Sequence, residues 1–138
     1  NCISKENLIA VATAVIVFRG QLLLLQRDDN LSIKDPGCWQ LPGGGVEMNE
    51  TSDEAIRREL KEEINVVPDC LKLFMSPYTG MSIYYGKLTE EESLKIRKGS
   101  EGKDLQFFSL EELFRIPLTH KLKLVVEQHK TILESLLK

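Results

Sequence analysis

The chain has 138 residues, with 18 Lys and Arg against 21 Asp and Glu, a formal net charge of -3 at neutral pH. That length supports one domain, 1–138, with a core of its own, and that charge provides no broad basic footprint of the kind duplex nucleic acid requires. Cys2, Cys38 and Cys70 include no Cys-x-x-Cys pair, which argues against a disulfide framework or a zinc site and fits a reducing cytoplasm.

Taken in chain order, the first element is the apolar run Leu8 to Phe18, preceded by Lys5. Ala10-Val11-Ala12 has the look of a signal-peptide cleavage site, but the run is too short to span a membrane. Arg19-Gly20 makes a turn and a second run, Leu22 to Leu25, ends at Gln26-Arg27, so a hairpin is predicted instead. No membrane association is expected. Asp28 to Cys38 reads as a polar loop with Asp35-Pro36-Gly37 as its turn. Pro42-Gly43-Gly44-Gly45 excludes helix and central strand; its glycines let bare backbone approach a ligand, as in a loop lying over a pyrophosphate.

Thr51 stands three residues before Glu54, which makes a capping box and predicts a helix start. At about 100° per residue, Ile56, Leu60 and Ile64 form one apolar stripe, and Glu59, Glu62 and Glu63 centre roughly 110° from it. One side packs while the neighbouring side presents three carboxylates. Each like-charge pair opposes the helix by a few tenths of a kcal/mol without a cation, so a bound metal would reverse the sign. Asn65 ends the helix as a residue that tolerates the left-handed conformation, and Arg58 is spaced to reach back to Glu50 as an architectural pair. Taken alone, Arg57 to Glu63 is also what an ordinary solvated face looks like. Joined to the glycine turn, the capping box and the Asn stop at fixed offsets, it reads as a divalent-metal site for phosphate chemistry.

Further strands are predicted near Val66 to Met75, Met81 to Leu88 and Leu105 to Phe108, with Ser109 capping a short helix through Glu112. From Lys121 onward, Leu122, Val125, Val126, His129, Ile132, Leu133 and Leu136 follow helical spacing and predict one terminal docking helix. This order suggests an α/β fold, a mixed sheet sandwiched between helices.

Gly44 to Val66 resembles the Nudix box, which runs Gly, five residues, Glu, seven residues, Arg-Glu, an aliphatic, any residue, Glu-Glu, any residue, Gly, an aliphatic. Asn65 stands where that box has its last Gly. The flanking Trp39 to Glu47 resembles the usual entry to the box, and weaker likeness to MutT-type members covers most of the chain. The resemblance implies an α/β/α sandwich and hydrolysis of a nucleoside diphosphate linked to a second group, with magnesium or manganese as the metal. It implies that Glu59, Glu62 and Glu63, the Gly43 carbonyl and Glu101 hold the metal, and that the general base is Glu59 or Glu101. A homodimer is a habit of the family.

Outside the box, Ser100-Glu101-Gly102-Lys103 followed by Phe107 to Leu110 resembles the MutT-type loop that brings another Glu to the metal. Lys98 to Asp104 is otherwise a solvated loop, and Glu90-Glu91-Glu92 is the competing acidic run. Arg27 resembles an arginine that meets substrate phosphate; a strand-end salt bridge is its alternative. Thr119 and His120 stand near where MutT-type enzymes place a guanine-reading asparagine, whose paired donor and acceptor neither reproduces. Tyr84 stacks a base or fills the sheet, and His129 falls within an apolar stripe as a packed structural residue.

Three functions fit this sequence. The first is hydrolysis of a canonical or oxidised nucleoside triphosphate to monophosphate and pyrophosphate. The second keeps the chemistry and changes the substrate to a dinucleoside polyphosphate or nucleotide sugar. The third is a nucleotide-binding module without turnover, which the complete set of box carboxylates disfavours.

Overall fold

Arg19 and Gly20 both hold positive φ, 51° and 75°, which is the backbone a two-residue hairpin needs to match the twist of its strands. In this computed structural model, which describes residues 10–138, that turn joins β1 (Val11–Phe18) to β2 (Gln21–Gln26). The chain continues through β3 (Trp39–Gln40), β4 (Gly43–Gly45), α1 (Ser52–Ile64), β5 (Lys72–Met75), β6 (Met81–Lys87) and α2 (Glu90–Ser93). It ends with β7 (Asp104–Phe108), α3 (Leu110–Leu113), α4 (His120–Gln128) and α5 (Lys130–Leu137). Cys2, Lys5 and the first two residues of the Leu8 run lie outside the described residues.

All seven strands form one sheet in the order β3-β2-β1-β6-β5, with β4 added to β1 and β7 to β2. β1 and β6 pair in parallel from Val11↔Met81 to Val17↔Lys87, and the other pairings are antiparallel. Strand alternation divides β1 between two cores. Ala12, Ala14 and Ile16 pack with Ala55, Ile56, Leu60 and Ile64 of α1, while Val15 and Val17 pack with Leu113, Leu122, Val125, Val126, Leu133 and Leu137. Helices therefore cover both faces of a mixed sheet, the expected α/β/α sandwich. Among the described residues no helix is long and apolar enough to cross a membrane.

Three elements differ from the sequence expectation. Gly43–Gly45 is a three-residue strand on the edge of β1 rather than a loop, because glycine backbone can still pair when it lacks side chains. The strand expected from Val66 is confined to Lys72–Met75; Pro68 lacks a donor, and its carbonyl accepts from Leu71 N–H in a turn. The single terminal helix is two, parted at His129, whose φ of -126° and ψ of 31° leave the helical region. The break rotates the buried face, so that Ile132 is exposed and Leu137 is buried. His129 lies half-buried at that junction.

Candidate active site

The acidic side of the site is set by α1. Thr51 and Glu54 form the capping box, with Glu54 N donating to Thr51 Oγ1 at 3.1 Å and Thr51 N to Glu54 Oε1 at 2.9 Å. Asn65 closes the helix at φ 69°. Both ends of the expected helix are thus built by the residues that predicted them, and the register of every carboxylate between them follows.

Arg58 is the hub of this face. Its guanidinium grips Glu50 with two bonds, 2.8 and 3.0 Å, and donates to Glu59 Oε2 at 3.0 Å and to the Gly45 carbonyl at 3.1 Å. Glu50 also accepts from Glu47 N at 2.9 Å, and these donors, Arg58 first, hold its carboxyl down at about 2. The pair therefore ties the segment after β4 to α1, as its spacing predicted.

Glu63 accepts from Gly43 N–H at 2.7 Å, and burial pushes its carboxyl up to about 8 against that bond, helped by the charges of Glu59, Glu101 and Glu62. Burial likewise raises Glu59, opposed by Arg58 and reinforced by Glu62 and Glu101. Glu62 is exposed. The loop carrying Glu101 is docked on the end of α1 by Arg97 N to Ile64 O and Gly99 N to Glu63 O, both 3.0 Å. A methyl group at Gly99 would overlap the Glu62 carbonyl, so only glycine lets this loop come so close. Nothing in the spacing had singled out Gly99. The competing acidic run is engaged elsewhere: Glu92 caps α2 and accepts from Asp69 N, and Glu90 pairs with Arg19.

Among the described residues no three acidic, imidazole or thiol groups converge as a finished metal shell. Glu59 and Glu63 instead engage the nearest donors, Arg58 and Gly43 N–H. The donor set is still what a hard divalent cation requires: four carboxylates near one helix end, two of which, Glu59 and Glu63, are held back from ionising by burial and by the charges of their neighbours. A divalent cation fits these residues.

The other side of β4 is a cavity of about 310 Å³, large enough for a small ligand. Val11, Leu41, Met81, Leu122 and Val125 give it apolar walls, and Arg27, Lys34, Asp35 and Lys121 add charge to its lining. Gly43, Gly44 and Gly45 line it too, so this strand separates cavity from carboxylates with no side chain between them. A methyl group at Gly43 would overlap the Ala12 carbonyl of β1, and one at Gly44 would crowd the Glu59 carboxylate, 2.7 Å away.

Arg27 lines this cavity, and its side chain makes no ion pair among the described residues. It donates instead to the Lys34 carbonyl at 2.8 Å and to Gln40 Oε1 at 3.3 Å. Thr119 also lines the cavity, its hydroxyl capping α4 by accepting from Leu122 N at 3.4 Å. His120 is exposed, and its backbone N–H donates to Asp35 Oδ2 at 3.2 Å. Tyr84 does not reach the cavity. It is 4% exposed and packs among Ala14, Ile56 and Leu60 on the opposite face of the sheet, because strand alternation points it under α1. The sequence reading missed Thr13, Lys34, Gln40, Lys121 and the apolar wall, which belong to segments that meet only in the fold.

A NUDIX domain family model matches residues 8–135. An ADP-ribose pyrophosphatase of Methanocaldococcus jannaschii is 32% identical over 118 residues, 81% of this chain and 69% of that protein. The nucleoside triphosphatase NudI of Salmonella agona is 49% identical over 45 residues, which are 33% of this chain and 31% of that one. Among solved structures, a MutT NUDIX hydrolase from Burkholderia pseudomallei superimposes with a TM-score of 0.66 at 27% identity, covering 88% of this chain and 97% of that one.

Proposed function

We propose that this chain, which belongs to the Nudix family and is a pyrophosphohydrolase, cleaves a nucleoside diphosphate linked to a second group, with its diphosphate crossing Gly43–Gly45. The observation that carries this is the bare glycine strand itself, with Glu59 and Glu63 against one side and an apolar, cation-lined cavity on the other. A nucleoside seated in the cavity sends its phosphates over backbone that has no side chain to obstruct them.

Arg27 offers positive charge to the phosphates from the cavity side, its guanidinium held in place by the Lys34 carbonyl. Arg58, engaged by Glu50, holds Glu59 in register and keeps the segment after β4 from drifting away from α1. Glu59, Glu62, Glu63 and Glu101 would hold a divalent cation, magnesium or manganese, together with the Gly43 carbonyl. When bound, that cation neutralises phosphate charge and lowers the pKa of water at the site. Glu59 or Glu101 takes the proton as water attacks phosphorus, and the leaving phosphate departs in line.

For the substrate, a nucleoside triphosphate releasing monophosphate and pyrophosphate is the first reading. ADP-ribose is the second, favoured by one observation: the relative named for it matches 81% of this chain, whereas NudI matches 33%. Product analysis with ordinary and oxidised triphosphates, ADP-ribose, nucleotide sugars and dinucleoside polyphosphates decides between them. One preferred substrate should be cleaved only when a divalent cation is present; absence of cleavage across the whole panel overturns the reading.

A further inference from the structure

Thr13 occupies the cavity-facing side of β1, opposite Gly43 on one flank and Ile83 on the other. The same face of β1 carries Val11, Val15 and Val17. Valine has the shape of threonine and packs there at three of the four positions, so the hydroxyl is the one feature of Thr13 that packing does not explain. β-branching gives threonine no advantage over valine as a strand former.

The hydroxyl oxygen is buried and has no hydrogen-bond partner among the described residues. Leaving such a group unpaired opposes folding, a cost a free protein gains nothing by carrying. The apolar lining residues Leu41, Leu122 and Val125 have no side-chain polar atom to offer it, and Met81 only a weakly accepting thioether sulfur. The residue as a whole is half-buried and lines the cavity, so a change of χ1 rotamer is the movement that would present the oxygen to a ligand there.

We infer that the Thr13 hydroxyl is a specificity-determining contact, hydrogen-bonding a polar atom of the nucleoside part of the substrate in the cavity. This rests on the reading of the cavity as the nucleoside seat. The phosphates are drawn by Arg27 and the site of the glutamates, where charge meets charge; the apolar walls suit a base or ribose, and against them a single hydroxyl discriminates strongly. A site built to bond a polar group rejects a ligand lacking it, because its own donor and acceptor are then stranded.

Calorimetric titration with a chelator present reads binding without turnover, using AMP, GMP, CMP, UMP, ribose 5-phosphate and inorganic pyrophosphate as probes. In wild type at least one nucleoside monophosphate should bind more tightly than the others. Thr13→Val should weaken that binding about tenfold, Thr13→Ser should restore it, and the melting temperature of ligand-free Thr13→Val should be no lower than wild type. Loss confined to nucleotides assigns the contact to the base, and equal loss for ribose 5-phosphate assigns it to the sugar; both support the inference. Unchanged nucleotide binding in Thr13→Val, equal loss for pyrophosphate, or no nucleotide binding by wild type overturns it. Because hydrolysis is not required, a chain that cleaves its substrate but ignores Thr13 refutes only this contact. A chain that binds through Thr13 without cleaving refutes only the hydrolase.

Discussion

Glu59, Glu62 and Glu63 on one side of Gly43–Gly45 all come from a single helix whose two ends are fixed by Thr51 and Asn65. The cavity on the other side draws on β1, the loop after β2, β3, β6 and α4. The first region is local in sequence and charged; the second is assembled from distant segments, mostly apolar, with charge added by Arg27, Lys34, Asp35 and Lys121. On the proposed function, that contrast separates two tasks, with the chemistry on one side of the glycine strand and the choice of substrate on the other. It also predicts that the two sides fail differently when mutated.

The largest expected effect lies on the helix side. Glu62 is exposed and carries no core packing, so Glu62→Gln should leave the melting temperature within about 1 °C of wild type. The same change should lower kcat roughly a thousandfold, since it removes a carboxylate from the site where phosphate charge must be offset. Steady-state kinetics beside a thermal melt check both. Near-normal turnover would remove Glu62 from the site and break the division of labour.

The same contrast explains what the sequence made legible. Apart from the Glu101 loop, every part of the helix side lies between Gly43 and Asn65, where spacing along the chain is spacing in space: the capping box, the left-handed stop and the Arg58–Glu50 pair are all where their spacing put them. Packing periodicity also gave the hairpin and the face of α1. The cavity had no such signal. Thr13 looks like any strand residue and Lys121 like any surface lysine until β1 and α4 meet across the core. Tyr84 shows the limit from the other direction, because its strand was predicted but which of its faces met the ligand depended on pairing with β1. The split at His129 is likewise set by how α4 and α5 each seat their apolar residues, which helical spacing alone cannot see.

On the cavity side the expected effect is smaller and of another kind. Lys121 lines the cavity and makes no ion pair among the described residues, so Lys121→Ala removes positive charge near the bound ligand without leaving a partner stranded. KM should rise about tenfold with kcat within a factor of two, the signature of lost binding that is equal in ground and transition states. A fall in kcat with KM unchanged would move Lys121 to the chemical side and erase the distinction.

The smallest effect is a pH dependence of stability that belongs to the helix side alone. Glu63 has a carboxyl raised to about 8 from its ordinary 4.5, so the fold favours its protonated form. Its contribution is complete below 4.5 and is lost as the pH climbs through about 8. Glu59 is shifted in the same direction. Glu50 is shifted the other way, to about 2, so the stability it contributes holds above 4.5 and is lost only in acid. Metal-free protein should therefore lose about 5 °C in melting temperature between pH 6 and pH 9, beyond what its surface charge accounts for. Glu63→Gln should flatten that slope, since glutamine cannot ionise. Magnesium should oppose the loss, raising the melting temperature more at pH 9 than at pH 6, because a cation favours the ionised carboxylates that burial opposes. A magnesium effect independent of pH would place the cation away from Glu59 and Glu63, and with it the chemistry away from this side of the glycine strand.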